Sequence, residues 1–344
     1  MNKMFDMANT QTIQAAVSKG WKPNAYLTNM SIAYFQNQSD YVATRMFPMI
    51  PVQLSTSSYY IFSRADLARD NVARKPALGK VQPMVISSDT DTYRCDVDQV
   101  ILGLDQIAQT NIQRANTPGA SDPRKAKVRV ATEQIMTHLD RVWAGNFFND
   151  GVWTNTWRGV ASNPTGKQFI KFGDANFDPV HFFDQRKDEI RKVGRRMPNK
   201  LALGTNSWIA LKNNPNILER VMGTGSTLNP ARVTLQAVAE LLGFDEVMVC
   251  SSTYNATGIG QAEDMQYICD SNGALMVYTP PSAAIDTPSA GYTFGWDMLG
   301  NGQTIAFDQF AGEKGTHAEF IEGLCSTSMK IVAQDLGMYF AECA

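Results

Sequence analysis

The sequence predicts an α+β chain in which one very long helix stands apart from a compact α/β region and from strands that close the C-terminus. Three observations lead there. An apolar stripe of Val128, Ala131, Ile135, Leu139, Val142 and Trp143, spaced mostly by three and four, marks a helix over residues 122–148, roughly 39 Å long at 1.5 Å per residue. Residues 151–287 alternate capped helical segments with short apolar runs. Residues 304–343 come as strand-like runs without a helical period.

The first fifty residues carry Trp21, Tyr26, Tyr34, Phe35 and Tyr41 without domain-like periodicity, which describes an arm that needs a partner surface. A short amphipathic helix is expected over residues 31–45, with Ile32, Phe35 and Val42 on one side. It must end before Phe47-Pro48, because proline disfavours helix at the residue before it. Residues 55–104 then read as a two-stranded excursion. Tyr59, Tyr60, Ile61 and Phe62 lead out, and Tyr93, Cys95 and Val97 alternate with Arg94, Asp96 and Asp98 on the way back. The connection between them has a basic bias, with Arg64, Arg69, Arg74, Lys75 and Lys80 against Asp66 and Asp70. A connection of about thirty residues is rarely idle.

Asp122-Pro123 supplies an N-cap and a proline at the first helical position, so the long helix begins there. Without heptads on both sides it is a girder packed along a sheet, not a coiled coil. In the α/β region Asp178-Pro179 opens a helix with Val180, Phe183, Ile190 and Val193 inward, and residues 201–203 form a short strand. Thr205 is expected to cap the helix carrying Trp208 and Leu211. The helix over residues 234–242 stops at Gly243, and residues 246–250 form a buried strand. Residues 279–292, with Pro280, Pro281 and Pro288, read as a loop. The closing strands are expected over residues 304–310, 317–321, 326–332 and 338–343.

With 344 residues and 44% hydrophobic side chains the chain can bury a sizeable core, which excludes disorder of the whole. Charged residues make up 19%, and Lys plus Arg (31) against Asp plus Glu (33) leave a net charge of -2. So sparse a charge fits a monomer with a neutral polar surface, and equally a subunit whose surface disappears into interfaces. It argues against a dedicated nucleic-acid binder, which needs a clustered cationic excess. No uncharged apolar run approaches the ~18 residues of a membrane span, and Met1 opens no apolar leader, so a cytosolic origin is expected. Cys95, Cys250, Cys269, Cys325 and Cys343 lack a C-x-x-C pair and read as buried free thiols.

Motifs that carry chemistry are missing. Gly166-Lys167 is followed by Gln168 and lacks the upstream glycine of a phosphate loop; Gly258-Ile-Gly260 and Gly223-Thr-Gly225 lack a third glycine. There is no G-x-S-x-G elbow, and His138, His181 and His317 read as structural. Asp96 and Asp98 share a strand face that a divalent cation could use, though a solvated face neutralised by Arg94 is the plainer reading. The run Arg186, Lys187, Arg191, Lys192, Arg195, Arg196 and Lys200 could meet phosphates. With Asp188 and Glu189 inside it, cationic charge at a helix C-terminus is the better account. No catalytic, cofactor or metal residue emerges.

The order of arm, basic β-excursion, girder helix, α/β region and returning strands resembles that of the tailed-bacteriophage major capsid protein family of the Hong Kong 97 type. The pieces that carry the resemblance are Val42-Ala-Thr-Arg-Met-Phe-Pro-Met-Ile-Pro-Val52 leading into Tyr59-Tyr60-Ile61-Phe62, Leu241-Leu-Gly-Phe-Asp-Glu-Val-Met-Val249, and Gln334 through Asp335, Leu336, Gly337 and Met338 to Tyr339. It implies an N-terminal arm (1–54), an extended β-hairpin loop (55–104), a peripheral domain (105–150 and 300–344) holding the spine helix 122–148, and an α/β axial domain (151–299) that could share the C-terminal strand. It further implies an icosahedral head shell around a phage genome, with an encapsulin-like compartment as the alternative. The implied partners are the chain itself in pentamers and hexamers, a separate scaffolding protein, a portal, a decoration protein, and packaged double-stranded DNA touched without specificity, assembled in the host cytoplasm into a virion. Contacts between subunits would fall to Arg64, Arg69, Arg74, Lys75 and Lys80 on the loop and to Trp21, Tyr26 and Phe35 on the arm. Some relatives cross-link the loop through a Lys-Asn isopeptide bond. Lys75 and Lys80 lie in that segment, but no partner asparagine or activating carboxylate matches, so no cross-link is expected. The arm starting almost at Met1 suggests no maturation cleavage.

Overall fold

A computed structural model describes residues 40–62, 64–75, 77–106, 110, 123–223, 233–258, 260–282, 287–298 and 304–344. In chain order its elements are α1 (Ala43–Met46), β1 (Met49–Val52), β2 (Thr56–Phe62), α2 (Arg64–Ala68), β3 (Ser88–Arg94), β4 (Asp96–Asp105), α3 (Pro123–Phe147), β5 (Thr156–Val160), β6 (Gln168–Ile170), α4 (Pro179–Gly194), β7 (Lys200–Gly204), α5 (Thr205–Lys212), α6 (Pro215–Gly223), α7 (Leu235–Leu242), β8 (Glu246–Cys250), β9 (Thr253–Asn255), β10 (Met265–Tyr267), β11 (Ala274–Val277), β12 (Gly291–Trp296), β13 (Ile305–Ala311), β14 (Ala318–Ile331), a 3-10 turn (Gln334–Leu336) and β15 (Gly337–Ala341).

One sheet has six strands in the order β6-β5-β15-β11-β7-β8. Its central strands β11 and β15 are buried at every position, as unbroken apolar runs should be when both faces are covered. Phe169, Phe172, Phe177, Phe182, Phe183 and Phe340 pack over it with ring centroids 5.0 to 6.1 Å apart. Such pairs each contribute ~0.5–1.5 kcal/mol beyond the area they bury. Around the sheet, helix ends are closed as the sequence dictates. Asp178 accepts from the backbone N–H groups of Val180 and His181 ahead of Pro179, and Gly243 ends α7 in the left-handed region at φ 66°. Thr205 departs from expectation. It is the first helical residue rather than the cap, and its hydroxyl reaches back to the Cys250 carbonyl at 3.3 Å.

The second sheet is organised by β14, a single strand of fourteen residues. Residues 318–327 pair with β4, residues 319–325 with β13, and residues 327–331 with β12, outside which β1 runs parallel. The sequence suggested two strands here, because Glu322 and Gly323 interrupt the apolar alternation. Pairing on both sides overrides that local weakness. Gly323 has a further use: a Cβ there would stand 2.9 Å from Phe307 and 3.1 Å from Ile135 of α3, so the missing side chain lets the helix approach. Pro51 sits in β1 without harm because β1 is an edge strand, where a missing N–H breaks no ladder.

The girder helix appears as α3. Val128, Ala131, Ile135, Met136, Leu139, Trp143, Ala144 and Phe147 are buried along one side against β4, β14 and α1. The expected Asp122 cap lies outside the described residues, as do residues 31–39 of the expected arm helix. What is described of that helix is α1, which ends at an extended Phe47 ahead of Pro48, as the proline requires.

Two expected boundaries move. The returning strand of the excursion breaks at Cys95: β3 pairs with β2, whereas β4 pairs with β14. Val100, Leu102 and Leu104 explain the break, since alternate apolar positions need the cover of α3. Likewise β12, which begins inside the expected loop of residues 279–292 and within the span expected for the axial domain, joins β14. There Tyr292 and Phe294 find an apolar neighbourhood. The C-terminal β15 lies between β5 and β11 in the six-stranded sheet.

Candidate assembly surface

The excursion is anchored by an aromatic stem. β2 and β3 pair from Thr56↔Arg94 to Phe62↔Ser88. At their base Tyr93 stacks on Phe294 of β12 at 4.6 Å, and Tyr59 leans on the same ring at 5.3 Å. Cys95, Tyr292 and Trp296 fill the space around them. Burial pushes the Cys95 thiol up to about 12, and burial together with a 2.8 Å hydrogen bond to Asp91 raises the Tyr59 hydroxyl as well.

Above the stem, α2 turns the chain and is clasped to the body twice. Arg64 forms an ion pair with Asp335 of the 3-10 turn. Arg195, held in the left-handed region at φ 59° just past the end of α4, donates from Nη1 to the Leu67 carbonyl at 3.1 Å. Between these clasps lies a cleft of about 940 Å³ lined by Tyr60, Arg64, Leu67, Arg195, Pro288 and Leu336, among others. Asp66 accepts from the Ser87 backbone N–H at 3.1 Å, which ties the outgoing chain to the returning one.

Beyond that point the segment has almost no cover. Val72 is 91% exposed and Val85 82%, and Leu78, Val81, Met84 and Ile86 are also exposed. Scattered apolar side chains on a surface are ordinary, but this concentration on one projecting segment is not. Sequence reading singled out the charges here and missed these. The signal was present in Met84-Val-Ile86, an apolar run with no strand to pair with.

The loop residues expected to touch a neighbour divide accordingly. Arg64 is engaged with its own subunit, and Arg69 lies 3.8 Å from Asp66. Arg74, Lys75 and Lys80 are exposed, and among the described residues none meets a carboxylate of its own subunit. Trp21, Tyr26 and Phe35 lie outside the described residues.

The remaining candidates for chemistry have structural occupations. His138 sits 3.2 Å from Asp98, whose hydrogen bond raises the imidazole above its ordinary value; Asp96 meets Arg94 at 3.0 Å. His181 shares a 2.8 Å hydrogen bond with Gln185, and the His317 carbonyl accepts from Gln106. In the basic run Lys187 is buried and donates to the Leu242 and Gly243 carbonyls at the end of α7, while Lys200 donates to the Arg45 and Met46 carbonyls at the end of α1. Arg186 lies over Trp157 at 3.9 Å and pairs with Glu189 at 3.0 Å. These cations serve helix ends and ring faces of their own subunit. All five cysteines are buried free thiols. Among the described residues no cluster of His, Cys, Asp or Glu could hold a metal ion, and no helix is long and apolar enough to cross a membrane.

Sequence reasoning also missed Asp140. It lies on the buried side of α3, where its carboxylate accepts from the backbone N–H groups of Val42 and Ala43, at 3.1 and 2.8 Å, and from the Ser252 hydroxyl at 2.7 Å. Burial raises its carboxyl above the usual range. Through it the start of α1 is bound to the girder helix.

No family model matches the chain. It is similar to the major capsid protein of Burkholderia phage BcepMu, with 24% identity over 294 residues that cover 78% of this chain and 81% of that protein. Among solved structures it is similar to a phage-related protein from Bordetella bronchiseptica RB50, with a TM-score of 0.69 and 15% identity over 93% of this chain and 97% of that one. It is also similar to the capsid of cyanophage P-SCSP1u, with a TM-score of 0.51 and 8% identity over 86% of each chain.

Proposed function

We infer that this chain is a major capsid protein of the Hong Kong 97-type fold, and that its surface is to be understood as that of a shell subunit. The observation that carries the reading is the excursion over residues 56–94. A subunit that leaves Val72, Leu78 and Val85 in water on a projecting segment is complete only when another copy covers them. Each such side chain contributes about 1.5–3 kcal/mol on full burial, and the gain recurs at every contact of a closed shell.

On this reading residues 1–54 are the arm and the segment up to residue 94 the extended loop. β4, β12–β14 and α3 make up the peripheral domain, and the six-stranded sheet with α4–α7 the axial domain that gathers at five- and six-fold positions. Arg74, Lys75 and Lys80 contact a neighbour, and Trp21, Tyr26 and Phe35 do so from the arm. The product is a virion shell around double-stranded DNA that the protein touches without specificity. A portal and a separate scaffolding protein complete the assembly in the host cell, and a decoration protein is a further partner.

Negative-stain electron microscopy of the expressed protein tests this directly. Icosahedral particles are expected from the full chain, and a soluble, folded, unassembled subunit from a deletion of residues 69–80. Particles of normal size and stability from the deletion would overturn the role given to the loop. Particles that enclose protein cargo instead of DNA would point to a compartment shell.

A further inference from the structure

Two of the buried thiols lie together. Cys250 ends β8 opposite Gly204 of β7, and the chain bends directly after it: the Ser251 N–H donates to the Val249 carbonyl at 3.0 Å, a three-residue turn centred on Cys250. The strand resumes as β9, paired with β10 from Asn255↔Met265 to Thr253↔Tyr267, and the Ile268 N–H extends that pairing to the Ser252 carbonyl at 3.0 Å. Cys269 comes next, which sets it beside the turn at Cys250. Both side chains belong to the buried core, 1% and 5% exposed, and their thiols are in hydrogen-bonding contact. That contact, burial and the nearby Asp140 carboxylate push the Cys250 thiol well above its ordinary value.

The other thiols are placed differently: Cys95 and Cys343 donate to the Phe294 and Phe340 carbonyls at 3.5 and 3.4 Å. Nor is the pair a fragment of a metal site, since among the described residues no three His, Cys, Asp or Glu side chains could hold an ion. Access to it runs through the β9–β10 hairpin. β10 is exposed at all three positions, and the hairpin is fastened to α3 by Ser252 on Asp140 and by Tyr254 under Arg141 at 5.2 Å. A short exposed ribbon opens more readily than the six-stranded sheet, and its opening uncovers Cys269.

We propose that Cys250 and Cys269 are a site of oxidative modification, joined as an intramolecular disulfide by low-molecular-weight disulfides once the protein leaves a reducing compartment. That change of compartment rests on the reading of the chain as a shell subunit; the chemistry does not. The Cys269 thiolate attacks one sulfur of the reagent, forming a mixed disulfide and releasing a small thiolate that takes up the proton Cys269 lost. Cys250 then gives up its proton and attacks the Cys269 sulfur, and the second small thiol departs with that proton. Two cysteine thiols are oxidised and one external disulfide is reduced to two thiols. The new bond fastens the hairpin to β8, and with it Ser252, which holds Asp140 beside the start of α1.

Folded full-length protein exposed to oxidised glutathione tests the pairing, with free thiols alkylated before mass analysis. The expected product is lighter by two hydrogen atoms, carries a Cys250–Cys269 link in its peptides and reverts with dithiothreitol. Amide exchange in β9 and β10 should slow by about tenfold or more in that product. Glutathione retained as an adduct, a link between other cysteines, or thiols left unchanged each overturn the proposal, and none of these readings needs a variant. Cys269→Ser should abolish both the link and the slowing; slowing that persists in it overturns the proposal as well. Particle formation is read separately by microscopy. A chain that forms no particles overturns the shell reading and leaves the disulfide result standing.

Discussion

The six-stranded sheet and the excursion spend their apolar residues in opposite ways. Around β11 and β15 each large side chain meets others of its own subunit, as Phe340 meets Phe169, Phe182 and Phe183. On the excursion the stem does so, through Tyr59 and Tyr93 on Phe294, whereas beyond α2 Val72, Leu78, Val81, Met84, Val85 and Ile86 are exposed. The first region is finished when the chain folds. The second leaves large apolar side chains such as Val72 and Val85 in water after the chain has folded.

That contrast can be broken by substitution. Phe340→Ala should destabilise the isolated subunit by about 3–5 kcal/mol, read as a lower urea midpoint, because a closed aromatic cluster loses a ring and keeps a cavity. Asp140→Ala should cost about 3 kcal/mol, since it leaves the Val42 and Ala43 N–H groups and the Ser252 hydroxyl without their acceptor. Hydrogen exchange should then show the segment around α1 opening before the sheets do. Phe294→Leu at the foot of the excursion should cost roughly 1.5 kcal/mol, with faster exchange confined to β2 and β3. Leu78→Ser with Val85→Ser should change the subunit's stability by less than about 0.5 kcal/mol while raising the protein concentration at which particles first form. A matching loss of subunit stability would mean that the excursion is packed like the sheet.

The smallest effect concerns pH. The Asp98 carboxylate raises the His138 imidazole above its ordinary 6.5. Stability from this pair is therefore fully present below pH 6.5 and is lost as pH rises through the raised value. The urea midpoint should fall slightly across that window, and Asp98→Asn should remove the step. As both side chains are nearly half exposed, solvent screening keeps the effect small.

Much of this was legible in the residues. The stripe from Val128 to Trp143, the Asp178-Pro179 cap, the Gly243 stop and the strand Glu246–Cys250 follow from local rules and stand in the structure as read. What could not be read depended on partners distant in sequence. β4 looks like a continuation of β3 until α3 and β14 claim it, and β14 looks like two strands until neighbours on both sides hold it as one. The loop charges were visible, but not that Arg64 is tied to Asp335 while Val72 and Val85 stand exposed. Sequence spacing shows which residues can share a face; it does not show which faces remain bare.

The single-residue join at Cys95 has a mechanical consequence. β3 belongs to the excursion and β4 to the sheet, so a tug on the tip passes along the chain directly into the ten-position ladder between β4 and β14. Force applied along a strand loads all the rungs of a ladder together, whereas force across it peels them one at a time. A pull on the excursion is thus met in the direction in which its anchorage yields least.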